Sequence, residues 1–214
     1  MNDTDTSDVR LMALLRVIVR GDHASASNML SGSPDLIHAR IRVGASRQAE
    51  IAFFQDEIKH YLYAGDTALH AAAAVYRYTI VCELLANGAD VRSKNRRGAE
   101  PLHYAVDGIP GSLYWDPIAQ AATVTCLLAS GADPNAIDKS GVAPLHRAVR
   151  TRCATAVKAL LDGGADALVK NKKGSTPLVL ATHNTGRGGT GTLEAKEQQA
   201  EILRLLRDGD SERN

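Results

Sequence analysis

The chain has 214 residues, 44% of them apolar, and its 25 basic residues nearly balance 24 acidic ones for a net charge of +1. This is the composition of an ordinary globular protein, and the total charge favours neither a nucleic-acid nor a membrane partner. The three cysteines, Cys82, Cys126 and Cys153, fall singly on predicted helices without CxxC spacing. We therefore expect reduced, half-buried thiols rather than a disulfide framework or a zinc site.

The first residues do not have the pattern of a secretory leader. Residues 1–8 are acidic where a signal peptide is basic, and the apolar run 11–19 contains Arg16 and is too short to span a bilayer. We expect a cytoplasmic protein without membrane contact, and a disordered leader over 1–7.

Two helices are predicted next, over 8–19 and 23–30, with Gly21 in the turn between them. The first carries apolar residues at helical spacing, namely Val9, Met12, Leu15 and Val19. This spacing predicts that the first helix buries one face.

The segment 43–62 is predicted to hold a further amphipathic helix, over about 47–60. Its apolar residues recur at helical spacing: Ile51, Phe54, Ile58 and Tyr61. Both phenylalanines of the chain, Phe53 and Phe54, lie here. The helix is expected to pack over the neighbouring helices, and the alternative is a groove for a partner.

A four-residue motif recurs along the rest of the chain. It begins at Thr67, Glu100, Ala143 and Thr176, where the residues read TALH, EPLH, APLH and TPLV. The starts are 33, 43 and 33 residues apart, and the phrase Gly-Ala-Asp follows in step at 88–90, 131–133 and 164–166. Two phrases in fixed phase indicate a repeat of 33 residues, with about ten residues inserted in one unit.

This period with this motif resembles the ankyrin repeat. The resemblance implies an all-α solenoid of about five helix pairs with short β-turn or hairpin tips, in which each unit buries its apolar faces against its neighbours. One domain is expected over 8–207, with a capping first unit and a disordered tail over 208–214. The expected units are 8–40, 63–94, 96–137, 138–170 and 171–207, with insertions at 43–62, 107–117 and 183–193.

The motif histidines His70, His103 and His146 lie about one repeat apart. They cannot share a metal ion, whose ligands all lie about 2 Å from it. The resemblance implies instead that their imidazoles hydrogen-bond neighbouring turns and helix starts. We expect neither a metal nor a cofactor.

The strongest functional pattern is a set of cations on the predicted hairpin tips. These are Lys94, Arg96, Arg97, Lys139, Lys170, Lys172 and Lys173, which we call the basic stripe. Adjacent tips are expected about 10 Å apart, so the cations would form one surface, and the alternative is a solvated face that binds nothing. Tyr104, Arg147 and Arg150 on the inner helices are predicted to add more specific contacts.

Both later insertions offer secondary candidates for contact. Trp115, the only tryptophan, follows Tyr114 and is interpreted as a plug over its own repeat, with a rigid partner anchor as the alternative. The Gly-rich segment 185–192 lacks the Gly-Lys-Ser/Thr ending of a phosphate-binding loop. Its glycines before a helix, with Arg187, leave anion binding as an alternative to a flexible surface loop.

The leading hypothesis is a non-enzymatic protein-binding module, monomeric on its own, that presents its basic stripe to an acidic partner segment. The chain has no Gly-x-Ser-x-Gly and no His-Glu-x-x-His motif. Nucleic acid is disfavoured because the tips lack the interleaved aromatic residues on which single strands stack. The alternatives are a nucleic-acid or anion-binding repeat protein, or an enzyme whose site is assembled from the insertions.

Overall fold

The computed structural model describes residues 3–45, 54–55, 60–182 and 192–211. Within them the chain forms five consecutive helix pairs. In chain order these are α1 (Asp3–Arg20) with α2 (His23–Gly32), α3 (Ala68–Ala74) with α4 (Tyr78–Ala86), α5 (Pro101–Ala105) with α6 (Pro117–Ala129), α7 (Pro144–Thr151) with α8 (Ala154–Asp162), and α9 (Pro177–Thr182) with α10 (Leu193–Ser211). The prediction of an all-α solenoid is confirmed.

The helices stack in two layers. The first helices of the pairs pack in the order α1, α3, α5, α7 and α9, and the second helices in the order α2, α4, α6, α8 and α10. The motif leucines Leu69, Leu102 and Leu145 are all 0% exposed and belong to one hydrophobic core. The core is therefore continuous along the stack, and every inner unit depends on its neighbours for burial.

The repeated motif sets the helix starts. Pro101, Pro144 and Pro177 are each the first residue of a helix, where proline's fixed φ fits and its missing N–H is not needed. After α8, which ends at Asp162, one residue adopts the left-handed backbone conformation. Gly164 takes it, with φ of +87°.

Both ends of the chain are more helical than predicted. Helix α1 begins at Asp3, so the prediction of a disordered leader was wrong from that residue on. Helix α10 continues to Ser211, so the prediction of a disordered tail was wrong over 208–211. There Arg204 pairs with Glu201 at 2.6 Å and with Asp208 at 2.8 Å, one helical turn away on either side.

The first insertion is a hairpin where it is described, and the prediction of a helix over about 47–60 was wrong there. Strands β1 (Phe54–Gln55) and β2 (His60–Tyr61) pair antiparallel. Closer to the core, backbone hydrogen bonds join 41–45 to 62–66. A Cβ at Gly44 would lie 2.2 Å from the Ala64 nitrogen, so the two chains approach too closely for another residue. Aromatic and β-branched residues, which gave the segment its helical spacing, also favour strands.

Candidate functional site

Three hairpin tips, at 95–98, 138–141 and 171–174, share one turn. The first residue of each is Asn95, Asp138 or Asn171, and its side-chain oxygen accepts hydrogen bonds from the backbone amides two and four residues further on, at 2.7 to 3.1 Å. Such side-chain bonds close a turn without a strand ladder. The sequence analysis missed these residues, although Asn or Asp three residues before Gly recurs at each tip.

Backbone hydrogen bonds also connect each tip to the one before it. The amide donors and carbonyl acceptors are Arg96 to Ala64 at 2.7 Å, Lys139 to Arg97 at 2.9 Å, and Lys172 to Ser140 at 3.2 Å. The tips are therefore held side by side in a fixed register, and the cations they carry lie on adjacent turns.

The cations of the basic stripe differ in their contacts. Lys94 is partly exposed, and its Nζ lies 3.6 Å from an oxygen of the buried Glu100 carboxylate. Burial raises the pKa of Glu100, and Arg92 and Lys94 oppose that shift. The remaining lysines of the stripe have exposed side chains: Lys139, Lys170, Lys172 and Lys173.

Arg96 and Arg97 are held by Tyr63 of the preceding tip. The Arg97 guanidinium lies 4.9 Å from the centre of the Tyr63 ring and donates to the Tyr63 hydroxyl at 2.8 Å. Arg96 lies 5.5 Å from the same ring and donates to the carbonyl of Ala45. Both arginines thus tie the 95–98 tip to Tyr63, and Arg96 also ties it to the first insertion, roles that the sequence pattern did not predict.

Tyr104 lies in the core, so its prediction as a partner contact was wrong. Its hydroxyl donates to Asp66 Oδ1 at 2.9 Å, and Asn95 Nδ2 donates to the same oxygen at 2.8 Å. All three side chains are buried, with Tyr104 only 2% exposed. A buried carboxylate needs such donors, so Tyr104 supports the tip from behind.

Arg147 is also a scaffold residue rather than an open contact. Its side chain is 12% exposed and lies 3.2 Å from Asp107 and 3.3 Å from Asp138, so it joins α7 to the end of α5 and to a tip. The prediction that it meets a partner was wrong, because both carboxylates occupy its guanidinium. Arg150, one turn further along α7, is half-buried.

An open cleft of about 630 Å³ lies at the start of the stack, lined by residues 38–42, 64–65 and 94–96 together with Asp8. The charged side chains that line it are Asp8, Arg40, Arg42, Lys94 and Arg96. Arg42 lies 3.9 Å from Asp8, and Arg40 lies 3.6 Å from Asp90 outside the lining. Cations thus outnumber carboxylates in the lining, and the cleft continues the positive surface beyond the first tip.

Family models match two parts of the chain: one described as "Ankyrin repeat" matches residues 64–96, and one described as "Ankyrin repeats (many copies)" matches residues 127–181. The chain is an ankyrin-repeat protein. No curated protein matches it. Ankyrin repeats are protein-interaction modules and are generally non-enzymatic.

The ankyrin histidines make the contacts that the resemblance implied. In His70, His103 and His146, Nδ1 accepts the backbone N–H three residues earlier, and Nε2 faces a carbonyl just before the next motif, at 3.0 to 3.2 Å. This arrangement fixes the neutral tautomer with its proton on Nε2. Burial lowers the pKa of all three and that of His103 to about 4, with Arg147 adding to the effect there.

The ankyrin insertions contain the remaining predicted contacts. Trp115 is half-buried against the core and donates from Nε1 to Gln120 Oε1 at 2.9 Å, as the plug interpretation expects. Tyr114 is 68% exposed. Phe53 and Arg187, with the Gly-rich segment 185–191, lie outside the described residues, as does the side chain of Phe54.

Among residues 3–45, 54–55, 60–182 and 192–211, no group of three or more His, Cys, Asp or Glu side chains could hold a metal ion. In the same part of the chain, no helix combines the length and apolar character needed to cross a membrane.

Proposed function

We propose that this ankyrin-repeat protein binds an acidic segment of a partner protein along its basic stripe, without catalysing a reaction. The observation that carries the proposal is the register of the tips: backbone hydrogen bonds place the Lys139 tip beside the Arg97 tip and the Lys172 tip beside the Lys139 tip. Cations held in a row attract an extended chain of carboxylates more strongly than scattered cations do.

Three carboxylates near the tips support this proposal, because they pair with other cations. Asp90 lies 3.6 Å from Arg40, and Asp133 lies 3.1 Å from Arg92. Asp138 lies within the tip itself but faces Arg147. The exposed lysines of the stripe keep their charge available for a partner.

Within the stripe we assign different roles. Lys139, Lys170, Lys172 and Lys173 make the direct contacts, and Lys94 and Arg96 lead toward the cleft that Arg40 and Arg42 also line. Arg97 is committed to Tyr63 and acts mainly as scaffold. We therefore propose that the acidic segment runs along the later tips and ends in the cleft.

We also propose that the protein acts in the cytoplasm as a monomer. The odd cysteine count supports this location.

The test is a charge reversal on the stripe with a matched reversal elsewhere. Lys139→Glu with Lys172→Glu changes the tips, and Lys158→Glu with Lys196→Glu makes the same net change at exposed positions on α8 and α10. The probe is a fluorescent peptide rich in Asp and Glu, followed by anisotropy. We expect the tip reversal to weaken binding at least about tenfold and the control reversal to change it less than about twofold.

Added salt should weaken the wild-type complex, since exposed charges are screened beyond a Debye length of about 8 Å at physiological ionic strength. Equal loss in both reversals would show that only net charge matters and would overturn the assignment of the stripe. Tighter binding of duplex DNA than of the acidic peptide, with the steep salt dependence of counterion release, would replace the proposal with nucleic-acid binding.

A further inference from the structure

Two of the three cysteines meet on the outer layer of the stack. Cys82 is on α4 and Cys126 is on α6, and their sulfur atoms lie 2.9 Å apart. The two helices pack against each other as second helices of neighbouring units. Each of the two is the single, half-buried cysteine of its helix, as the sequence predicts, and helix stacking brings these positions, 44 residues apart, into contact.

The two thiols are also accessible. Both side chains are half-buried rather than enclosed, whereas Cys153 is 0% exposed and lies beside Thr151. Tyr78, one turn before Cys82 on α4, is 48% exposed. A small oxidant can therefore reach the pair from solvent without any helix leaving the stack.

We propose that Cys82 and Cys126 are a modification site, at which a small-molecule disulfide such as oxidised glutathione converts two thiols into a bond between the second and third units. The site is independent of the basic stripe, whose cations lie on the hairpin tips.

The exchange proceeds in two steps. The Cys82 sulfur, as thiolate, attacks one sulfur of glutathione disulfide, so that a mixed disulfide forms and one glutathione leaves. The Cys126 thiol then loses its proton and attacks the Cys82 sulfur, and the second glutathione leaves. Two protein thiols are oxidised and one glutathione disulfide is reduced; the two protons end on the two glutathione thiols.

The environment of the pair favours this order of events. Burial, followed by the nearness of Cys82, raises the pKa of Cys126 to about 12. Cys126 therefore stays a thiol at neutral pH and is the poorer first nucleophile, because the thiolate is the reactive form. Once Cys82 carries a glutathione, the adjacent Cys126 is already in place to resolve it.

The disulfide bond would stabilise the folded protein. It closes a loop from 82 to 126 that contains the 95–98 tip, α5 and the insertion at 107–117. Closing such a loop restricts the unfolded chain, so the oxidised protein should resist unfolding more than the reduced protein. A reducing agent reverses the bond, and in a reducing compartment the pair remains a dithiol.

The experiment uses the full chain, folded and reduced, incubated with oxidised glutathione and then blocked with an alkylating agent. We expect the intact mass measured before alkylation to fall by two hydrogen atoms, peptide mapping to find Cys82 joined to Cys126, and the midpoint of thermal unfolding to rise by several degrees. Dithiothreitol should restore the original mass and midpoint.

Two variants make the result specific. Cys82→Ser should lose both the linked peptide and the rise in midpoint, and Cys153→Ala should keep both. If Cys153→Ala does not fold, the peptide map of the wild-type chain still decides. Glutathione left on Cys82 or Cys126 without a link, a link through Cys153, or no reaction of the folded protein would each overturn the proposal.

Discussion

The tips at the two ends of the basic stripe use the same turn but engage their side chains differently. At 95–98, Arg97 lies on the Tyr63 ring, and Asn95 joins the buried Asp66 carboxylate. At 171–174, Lys172 and Lys173 are exposed to solvent. The comparison teaches that a cation at a tip is not by itself a binding residue. Its role depends on whether a side chain of the preceding tip contacts it.

The largest expected effect concerns the buried motif leucine, which the repeat units have in common. Leu102 and Leu145 occupy the same motif position and are both 0% exposed. Changing either to Ala should cost about 2 to 4 kcal/mol of unfolding free energy, because the stacked helices cannot close the cavity. Urea denaturation measures it, and a loss below about 0.5 kcal/mol for either would contradict the shared register.

The next prediction distinguishes the 95–98 tip from the later tips by the hydrogen bonds of Asp66. Asp66 accepts hydrogen bonds from Tyr104, Asn95 and the Tyr63 amide at 2.7 to 3.0 Å. Asp66→Ala should cost about 3 kcal/mol, since removing a buried acceptor leaves several buried donors without partners. Chemical denaturation gives the value.

Asp138→Ala removes an aspartate of a later tip, whose side chain is less buried than that of Asp66. It should cost about half as much as Asp66→Ala, because water can reach the exposed tip amides and Arg147 keeps its contact with Asp107. Equal losses of unfolding free energy in the two variants would contradict the distinction between the buried network around Asp66 and the more exposed later tip.

A pH experiment probes a contact between neighbouring units, in which His103 Nε2 faces the Val142 carbonyl. The folded pKa of His103 is lowered to about 4 from 6.5, so the unfolded chain binds the proton more readily. The stability that neutral His103 contributes is complete above about pH 6.5 and is lost as pH falls toward about 4. Between about pH 7.5 and pH 5 we expect a loss of about 2 kcal/mol from this group.

The exposed His38 provides the control for the pH experiment. Denaturant titrations of His38→Gln at the same pH values should show the wild-type loss, whereas His103→Gln should reduce it by about 2 kcal/mol, with His70 and His146 still contributing. A His103→Gln profile that still follows the wild type would assign the acid sensitivity to other groups.

The smallest effect concerns the tip cations themselves. Arg97→Ala should cost up to about 1 kcal/mol of stability, since its guanidinium stacks on Tyr63 and bonds its hydroxyl. Lys172→Ala should leave the thermal midpoint unchanged while weakening binding of the acidic peptide. If calorimetry finds the same change in thermal midpoint for Arg97→Ala and Lys172→Ala, the proposed difference between the two tips is wrong.

The repeat could be predicted from the sequence because its signals are local. Proline at the second motif position, the motif leucine and the glycine after each second helix specify turns and helix ends within a few residues. The motif histidines could be interpreted in the same way. The hairpin at 54–61 could not be predicted, because apolar residues at helical spacing can also face the core from a strand pair.

The amino-acid sequence by itself determined the period, the helix pairs and the positions of the tips, since each of these depends on contacts between residues near in the chain. Only the tertiary structure decided that Tyr104 and Arg147 are scaffold, that Arg97 lies on Tyr63, and that Cys82 meets Cys126. Each of these contacts joins different units. Their geometry depends on how helices and tips stack, and a repeat motif does not specify which variable side chains then face one another.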